Sequence, residues 1–143
     1  HRAWPIPARI GAIQLAAQRT LFVGDAAAAT DPLTGEGIGQ ALLTGVLAAG
    51  AIRAGQLDAG RTVALYERSV RDALVADHQM SLLLIRALRH PKGAHAAVRL
   101  AGATAWTRRN FARWLFEDYP RSVLTTPRRW HRDVFTGPGA YHR

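Results

Sequence analysis

Apolar residues change their spacing twice along this chain. Near the start they come in short clusters. Leu21, Phe22 and Val23 form a three-residue apolar run closed by Gly24-Asp25, and a run that short, bounded by turn residues, predicts an interior strand. Upstream, Trp4-Pro5-Ile6-Pro7 is expected to be an extended edge or loop, because proline cannot donate to a ladder, and residues 9–15 a weak strand interrupted by Gly11. From Gly37 to Ala54 the chain is rich in Ala, Leu and Gly, which predicts a helix. Leu42, Val46, Leu47 and Ile52 give it bulk, Gly39, Gly45 and Gly50 give it thin faces, and Gly55 is placed to cap it. Val63, Tyr66, Val70 and Leu74 then recur at helical spacing, and Met80, Leu82, Leu83, Leu84, Ile85 and Leu88 extend the pattern nearly all round. Residues 61–90 therefore read as one long helix or two in tandem, stopped by Pro91-Lys92-Gly93. A further helical region is expected from 94 to about 119, with Pro120 as its stop and residues 121–143 as a basic, flexible tail.

The strand, turn and helix at residues 21–54 make the stretch most suited to chemistry. Ala26 to Ala29 let another body pass close by, and Asp31-Pro32 redirects the chain, since proline fixes its own φ and biases the preceding residue towards extended backbone. Gly35-Glu36-Gly37 is expected to open the helix with its first N–H groups unpaired, a place where the helix dipole favours negative charge by about 0.3–1 kcal/mol. Two phosphate-binding motifs fail on spacing. The third glycine of G-x-G-x-x-G would fall on Gln40 or Leu42, and no G-x-x-x-x-G-K-[ST] occurs.

Gly24-Asp25-Ala26-Ala27 followed by Asp31-Pro32-Leu33-Thr34-Gly35-Glu36-Gly37-Ile38 closely resembles the second flavin-binding motif of FAD-dependent oxidoreductases of the geranylgeranyl reductase type, within the para-hydroxybenzoate hydroxylase-like class. Tyr66-Glu67-Arg68 resembles a triplet that often follows in that family. Ala28 departs from the pattern, which often has glycine there. The resemblance implies that Asp25 accepts a hydrogen bond from the ribityl chain, that Gly24 permits the turn, and that Ala26 and Ala27 belong to the cofactor-binding stretch. It also implies that Pro32 passes beside the isoalloxazine ring, and that Gly35, Glu36, Gly37 and Ile38 face its pyrimidine edge. A helix tip there would favour the negative charge of the reduced ring. Read without ligand, the same stretch is a tight strand-to-helix turn.

Charge adds a second feature. Through Ile85 seven arginines balance seven acidic residues, whereas from Arg86 onward twelve basic residues face Glu117, Asp118 and Asp133, so the second part carries the whole net charge of +9. Trp106, Trp114 and Phe111 lie among Arg108, Arg109 and Arg113. That region admits a solvated helix face, an interfacial patch for anionic lipid, or phosphate contacts to nucleic acid, and no nucleic-acid motif supports the last. There is no cysteine, so disulfides, thiolate metal sites and thiol nucleophiles are excluded. The six histidines show no metal-ligand spacing. His78, His90 and His95 read as surface or cap residues, and no G-x-S-x-G supports a serine hydrolase. No run is read as long enough to span a bilayer.

The expected fold class is α/β in origin but mostly helical in this chain. Residues 1–60 would be the C-terminal part of an FAD-binding domain, with short strands and a flavin-facing helix. Residues 61–120 would be a helical region and 121–143 the tail. Such an enzyme needs an N-terminal βαβ unit with its own glycine fingerprint. The chain, which begins at His1, lacks one, so it is expected to be a fragment or to need a partner bearing that half. With FAD as cofactor, the leading function is reduction of C=C bonds in a polyprenyl lipid, by a cytoplasmic protein with peripheral contact at the inner membrane face. The alternatives are a flavin-dependent aromatic monooxygenase and a non-enzymatic basic helical module that binds anionic membrane or a protein partner.

Overall fold

The computed structural model describes residues 5–116 and Pro127. The chain is mostly helical with one small antiparallel sheet, and it divides into two units, residues 1–79 and 80–143. The tail predicted at 121–143 lies, apart from Pro127, outside the described residues.

In the first unit, β1 (Ala16–Ala17) and β2 (Thr20–Leu21) pair antiparallel, with Ala16 opposite Leu21 and Ala17 opposite Thr20. The predicted interior strand is thus smaller than its apolar run. Phe22 adds one more bond, from its N–H to the Leu15 carbonyl at 2.9 Å, and the chain then turns at Gly24. Residues 5–7 of the Pro-rich entry form neither helix nor strand, Trp4 lies outside the described residues, and Ala8 bridges antiparallel to Ala29. Residues 9–15, expected as a weak strand, instead turn, and the Ala12 N–H donates to the Arg9 carbonyl.

Helix α1 (Ile38–Gly55) begins one residue after the predicted glycines, with Gly37 as its N-cap. Its end also differs from expectation. Gln56, not a glycine, takes the left-handed cap conformation (φ 52°), and Gly55 serves a different need, the close approach of the next helix. That helix, α2 (Ala59–Val70), is capped by the Asp58 carboxylate, which accepts from the Arg61 N–H at 3.0 Å. A π-helical turn at Arg71–Val75 joins α2 to α3 (Ala76–Leu88) with right-handed helical backbone on both sides, so this region is one continuous helical run with a π-bulge inside it. The end of α2 and the π-helical turn are linked by two surface ion pairs, Arg71 with Glu67 at 3.5 Å and Arg68 with Asp72 at 3.9 Å. Exposed pairs of this kind contribute little.

The core gathers Ile10, Leu15, Ala27, Ala29, Ala48, Ala51, Tyr66 and Val70, flanked by Leu21, Phe22, Leu47 and Leu65. Thr44, Ala48, Ala51 and Gly55 form the buried ridge of α1, and their i, i+4, i+3 spacing is that of one helix face. Its other face is apolar and open to water: Ile38 is 77% exposed, Leu42 69% and Val46 68%. By length and composition α1 also passes as a membrane-crossing helix, with mean hydropathy 1.3 and 22% of it buried, contrary to the sequence reading that no run was long enough.

Helix α3 ends at Leu88, just before the stop expected at Pro91-Lys92-Gly93, and in the second unit Pro91 opens a new helix. It sits at the first position of α4 (Pro91–Gly102), where its missing N–H costs nothing. Helix α5 (Ala105–Phe116) is opened by a reciprocal cap. The Thr107 N–H donates to Thr104 Oγ1 at 3.0 Å, and the Thr104 N–H donates to Thr107 Oγ1 at 2.9 Å. Val98, Leu100 and Trp106 are exposed, and the rings of Phe111 and Trp114 meet at 5.9 Å. Arg113, one of the arginines of this region, is buried.

Candidate functional site

Gly24 starts a 3₁₀ turn (Gly24–Ala27) with φ +55°, a conformation that favours glycine. Its buried N–H donates to Thr44 Oγ1 at 2.9 Å, which ties the turn to the second turn of α1. Thr44 in turn donates back to the Gln40 carbonyl at 2.8 Å. Ala28 ends the 3₁₀ turn in left-handed geometry (φ 49°), which explains why glycine suits that position. Ala27 and Ala28 are buried and Ala26 is exposed.

Asp25 faces outward, and its Oδ1 accepts from Thr30 Oγ1 at 3.0 Å. A Cβ on Gly37 would lie 3.2 Å from that Thr30 oxygen and 3.5 Å from Asp25 Oδ1. The Asp25 carboxylate therefore stands against the start of α1, and a side chain at Gly37 would crowd the Thr30 hydroxyl bonded to it. Gly37 has no side-chain cap, and no acidic residue occupies the first turn of α1. Also on that turn, Gln40 Oε1 is a buried acceptor without a hydrogen-bond donor among the described residues. Glu36 is exposed at the tip, with its N–H on Thr34 Oγ1 at 3.3 Å. Ile38 projects into water. The fold thus brings Asp25, Thr30 and Gly37 together, with Glu36 and Ile38 on the open side of the same tip. Pro32 is half-buried, and Gly35 lies exposed in the preceding loop with φ +74°.

Asp31 does more than redirect the chain. It is buried, and its Oδ2 accepts from the Leu33 N–H at 3.1 Å and from both the N–H and the hydroxyl of Thr34 at 2.7 Å. Its backbone closes the same loop, its N–H donating to the Glu36 carbonyl at 2.8 Å and its carbonyl accepting from Gly35 at 2.9 Å. Asp31 is therefore the anchor that shapes the segment leading to the tip. The D-P-x-T wording, an aspartate able to fold its side chain onto the following N–H groups, was the available signal.

His78, read from sequence as a surface or cap residue, is buried. Burial pushes its pKa below the ordinary 6.5, and the Asp31 carboxylate pulls the other way. Tyr66, of the supporting triplet, is fully buried, and its hydroxyl donates to the Phe22 carbonyl, fixing α2 to the strand end just before Gly24. Burial also raises the Tyr66 pKa above 10.0.

Two open hollows border α1 away from its tip. One is lined by Val46, Gly50, Arg53 and Leu65, the other by Arg19, Ile52, Leu57 and Val63, and none of the motif residues lines either. No group of three metal-ligating side chains occurs among the described residues. Chemically, the tip is a set of donors beside a carboxylate, with a buried acceptor on the same turn. It suits a ligand edge that offers both acceptors and a donor. No protein-family model matches the chain, and no curated protein or solved structure matches it.

Proposed function

We propose that this chain is the flavin-side portion of an FAD-dependent oxidoreductase, and that its most fitting reaction is reduction of C=C bonds in a polyprenyl lipid. One observation carries the reading: the uncapped N-terminus of α1 opens to solvent with the Asp25 carboxylate against it. The orphaned Gln40 Oε1 fits the same ligand, because a flavin pyrimidine edge presents one N–H between two carbonyls. Asp25 would hold the ribityl hydroxyls, and the N–H groups of Gly37, Ile38 and Gly39 would carry the electron-rich edge. Asp31 holds the Pro32 segment in place, and the Gly24–Thr44 bond keeps the turn against the helix. Bound FAD would supply hydride transfer, and this chain would contribute binding and orientation.

The remaining wall would come from a unit bearing the ADP-binding half, in the same longer chain or in a partner. The exposed stripe Ile38, Leu42 and Val46 agrees with this, since a helix that is apolar all round is normally covered. A second reading is a basic module that docks on anionic membrane, favoured by exposed Val98, Leu100 and Trp106 in the arginine-rich unit.

The test is flavin binding by the complete protein, followed by quenching of flavin fluorescence. Loss of a hydrogen bond to a charged group costs about 1.5–3 kcal/mol, so Asp25→Ala should weaken FAD binding at least about tenfold. Absence of binding by the complete protein, or equal affinity in Asp25→Ala, refutes the proposal.

A further inference from the structure

The second hollow lies between the Gln18–Arg19 turn of the hairpin, the last turns of α1 and the start of α2. Its volume is about 490 Å³, inside the range of about 300–1,000 Å³ usual for small-molecule sites. Leu21, Ile52, Leu57 and Val63 supply aliphatic walls, and Arg19 is the one charged residue among those lining it. Gln18 and Thr20 add polar side chains at the hairpin turn, while two other polar groups nearby are committed elsewhere. The Thr62 hydroxyl donates to the Asp58 carbonyl at 2.7 Å, and the Asp58 carboxylate caps α2. Arg19 has neither a hydrogen bond nor an ion pair among the described residues.

The rim is unusual in two ways. Leu57 is fully exposed and Ile52 is 60% exposed, so two bulky aliphatic side chains at one mouth face water. The backbone there is also left-handed without glycine. Gln18, Gln56 and Leu57 have φ of 52°, 52° and 70°, three of the four such non-glycine residues described. Leucine is poorly suited to that conformation, and glycine would take it freely. A fold that keeps a strained leucine extended into solvent beside an apolar hollow points to a use for that side chain in binding.

We infer that this hollow binds an aliphatic amphiphile with an anionic head, carboxylate or phosphate, its chain against Ile52, Leu57 and Val63 and its head on Arg19. The larger, apolar part of the wall suits an alkyl chain, and Arg19, the one cation among the lining residues, selects the sign of the head. None of the residues assigned to flavin lines the hollow, so this site stands or falls independently of the flavin reading.

Isothermal titration of the complete protein with decyl phosphate, decanoate, decanol and decyltrimethylammonium, each below its micelle concentration, tests the inference. Both anions should bind and the cation should not. Arg19→Gln should weaken decyl phosphate about tenfold, as expected for a charge-assisted contact, and leave decanol unchanged. Leu57→Gly relieves the backbone and should weaken all binders several-fold. Ile6→Gln, at an exposed apolar position that does not line the hollow, should weaken none. The inference is overturned by equal binding of the cation, by unchanged affinity in Arg19→Gln, or by Ile6→Gln acting like Leu57→Gly. Binding to anionic phospholipid vesicles without binding of the monomeric anions overturns it as well, and assigns the surface to a bilayer.

Discussion

Replacing Gly55 with alanine separates local from tertiary effects, because the two predict opposite signs. In a helix, Gly→Ala usually stabilises by about 0.5–1 kcal/mol, through reduced unfolded-chain entropy. At Gly55, however, the new Cβ would lie 1.9 Å from Thr62 Oγ1, 2.9 Å from Thr62 Cβ and 3.1 Å from Thr62 Cα. Rotating Thr62 relieves only the first contact and breaks its 2.7 Å bond to the Asp58 carbonyl. The other two require α1 and α2 to move apart at this contact. Overpacking of this kind costs about 1–3 kcal/mol, so the net effect is a loss of roughly 1–2 kcal/mol. Gly45 is the internal control: an added Cβ there meets nothing within 4 Å, and Gly45→Ala should stabilise by about 0.5–1 kcal/mol. The assay is urea unfolding followed by far-ultraviolet circular dichroism. With a slope of about 2 kcal/mol/M, the midpoint should fall by about 0.5–1 M in Gly55→Ala and rise by about 0.3–0.5 M in Gly45→Ala. A midpoint that rises equally in both variants refutes the close-packing account of Gly55.

The other expectations concern buried polar groups. Tyr66→Phe leaves the Phe22 carbonyl without its partner and should destabilise by about 1–3 kcal/mol in the same assay, while a change under about 0.5 kcal/mol would show that water replaces the hydroxyl. Because burial raises the Tyr66 pKa, the unfolded chain loses its proton first, and wild-type stability should decline as pH rises above about 10, an effect Tyr66→Phe should remove. For His78 the sign is reversed. Its folded pKa lies below 6.5, so the unfolded state binds more protons in that window. The stabilising contribution is complete above about pH 6.5 and is lost as pH falls towards the folded value. Urea midpoints at pH 5 and pH 7.5 should differ less in His78→Phe than in the wild type, and an unchanged difference would show that His78 does not sense this range.

The sequence by itself determined what is local. The α1 span followed from its apolar composition, the helical character of the region after Gly60 followed from the recurrence of Val63, Tyr66 and Val70, and the turn at Gly24 followed from its residue types. The motif's contiguity put Asp25 and Gly37 twelve positions apart in one stretch, and the fold sets a Cβ at Gly37 3.5 Å from Asp25 Oδ1. Tertiary structure decided everything that depends on which residues meet across the chain. It gave Gly55 to Thr62 instead of to a cap, buried His78 in the first unit, and tied Gly24 to Thr44 across twenty positions. It also reduced the apolar run at Leu21 to a two-residue pairing, because a strand extends only as far as a neighbour supplies hydrogen bonds. Propensity and periodicity act over a few residues, whereas close approach, burial and the pairing of polar groups depend on contacts that no short window of sequence contains.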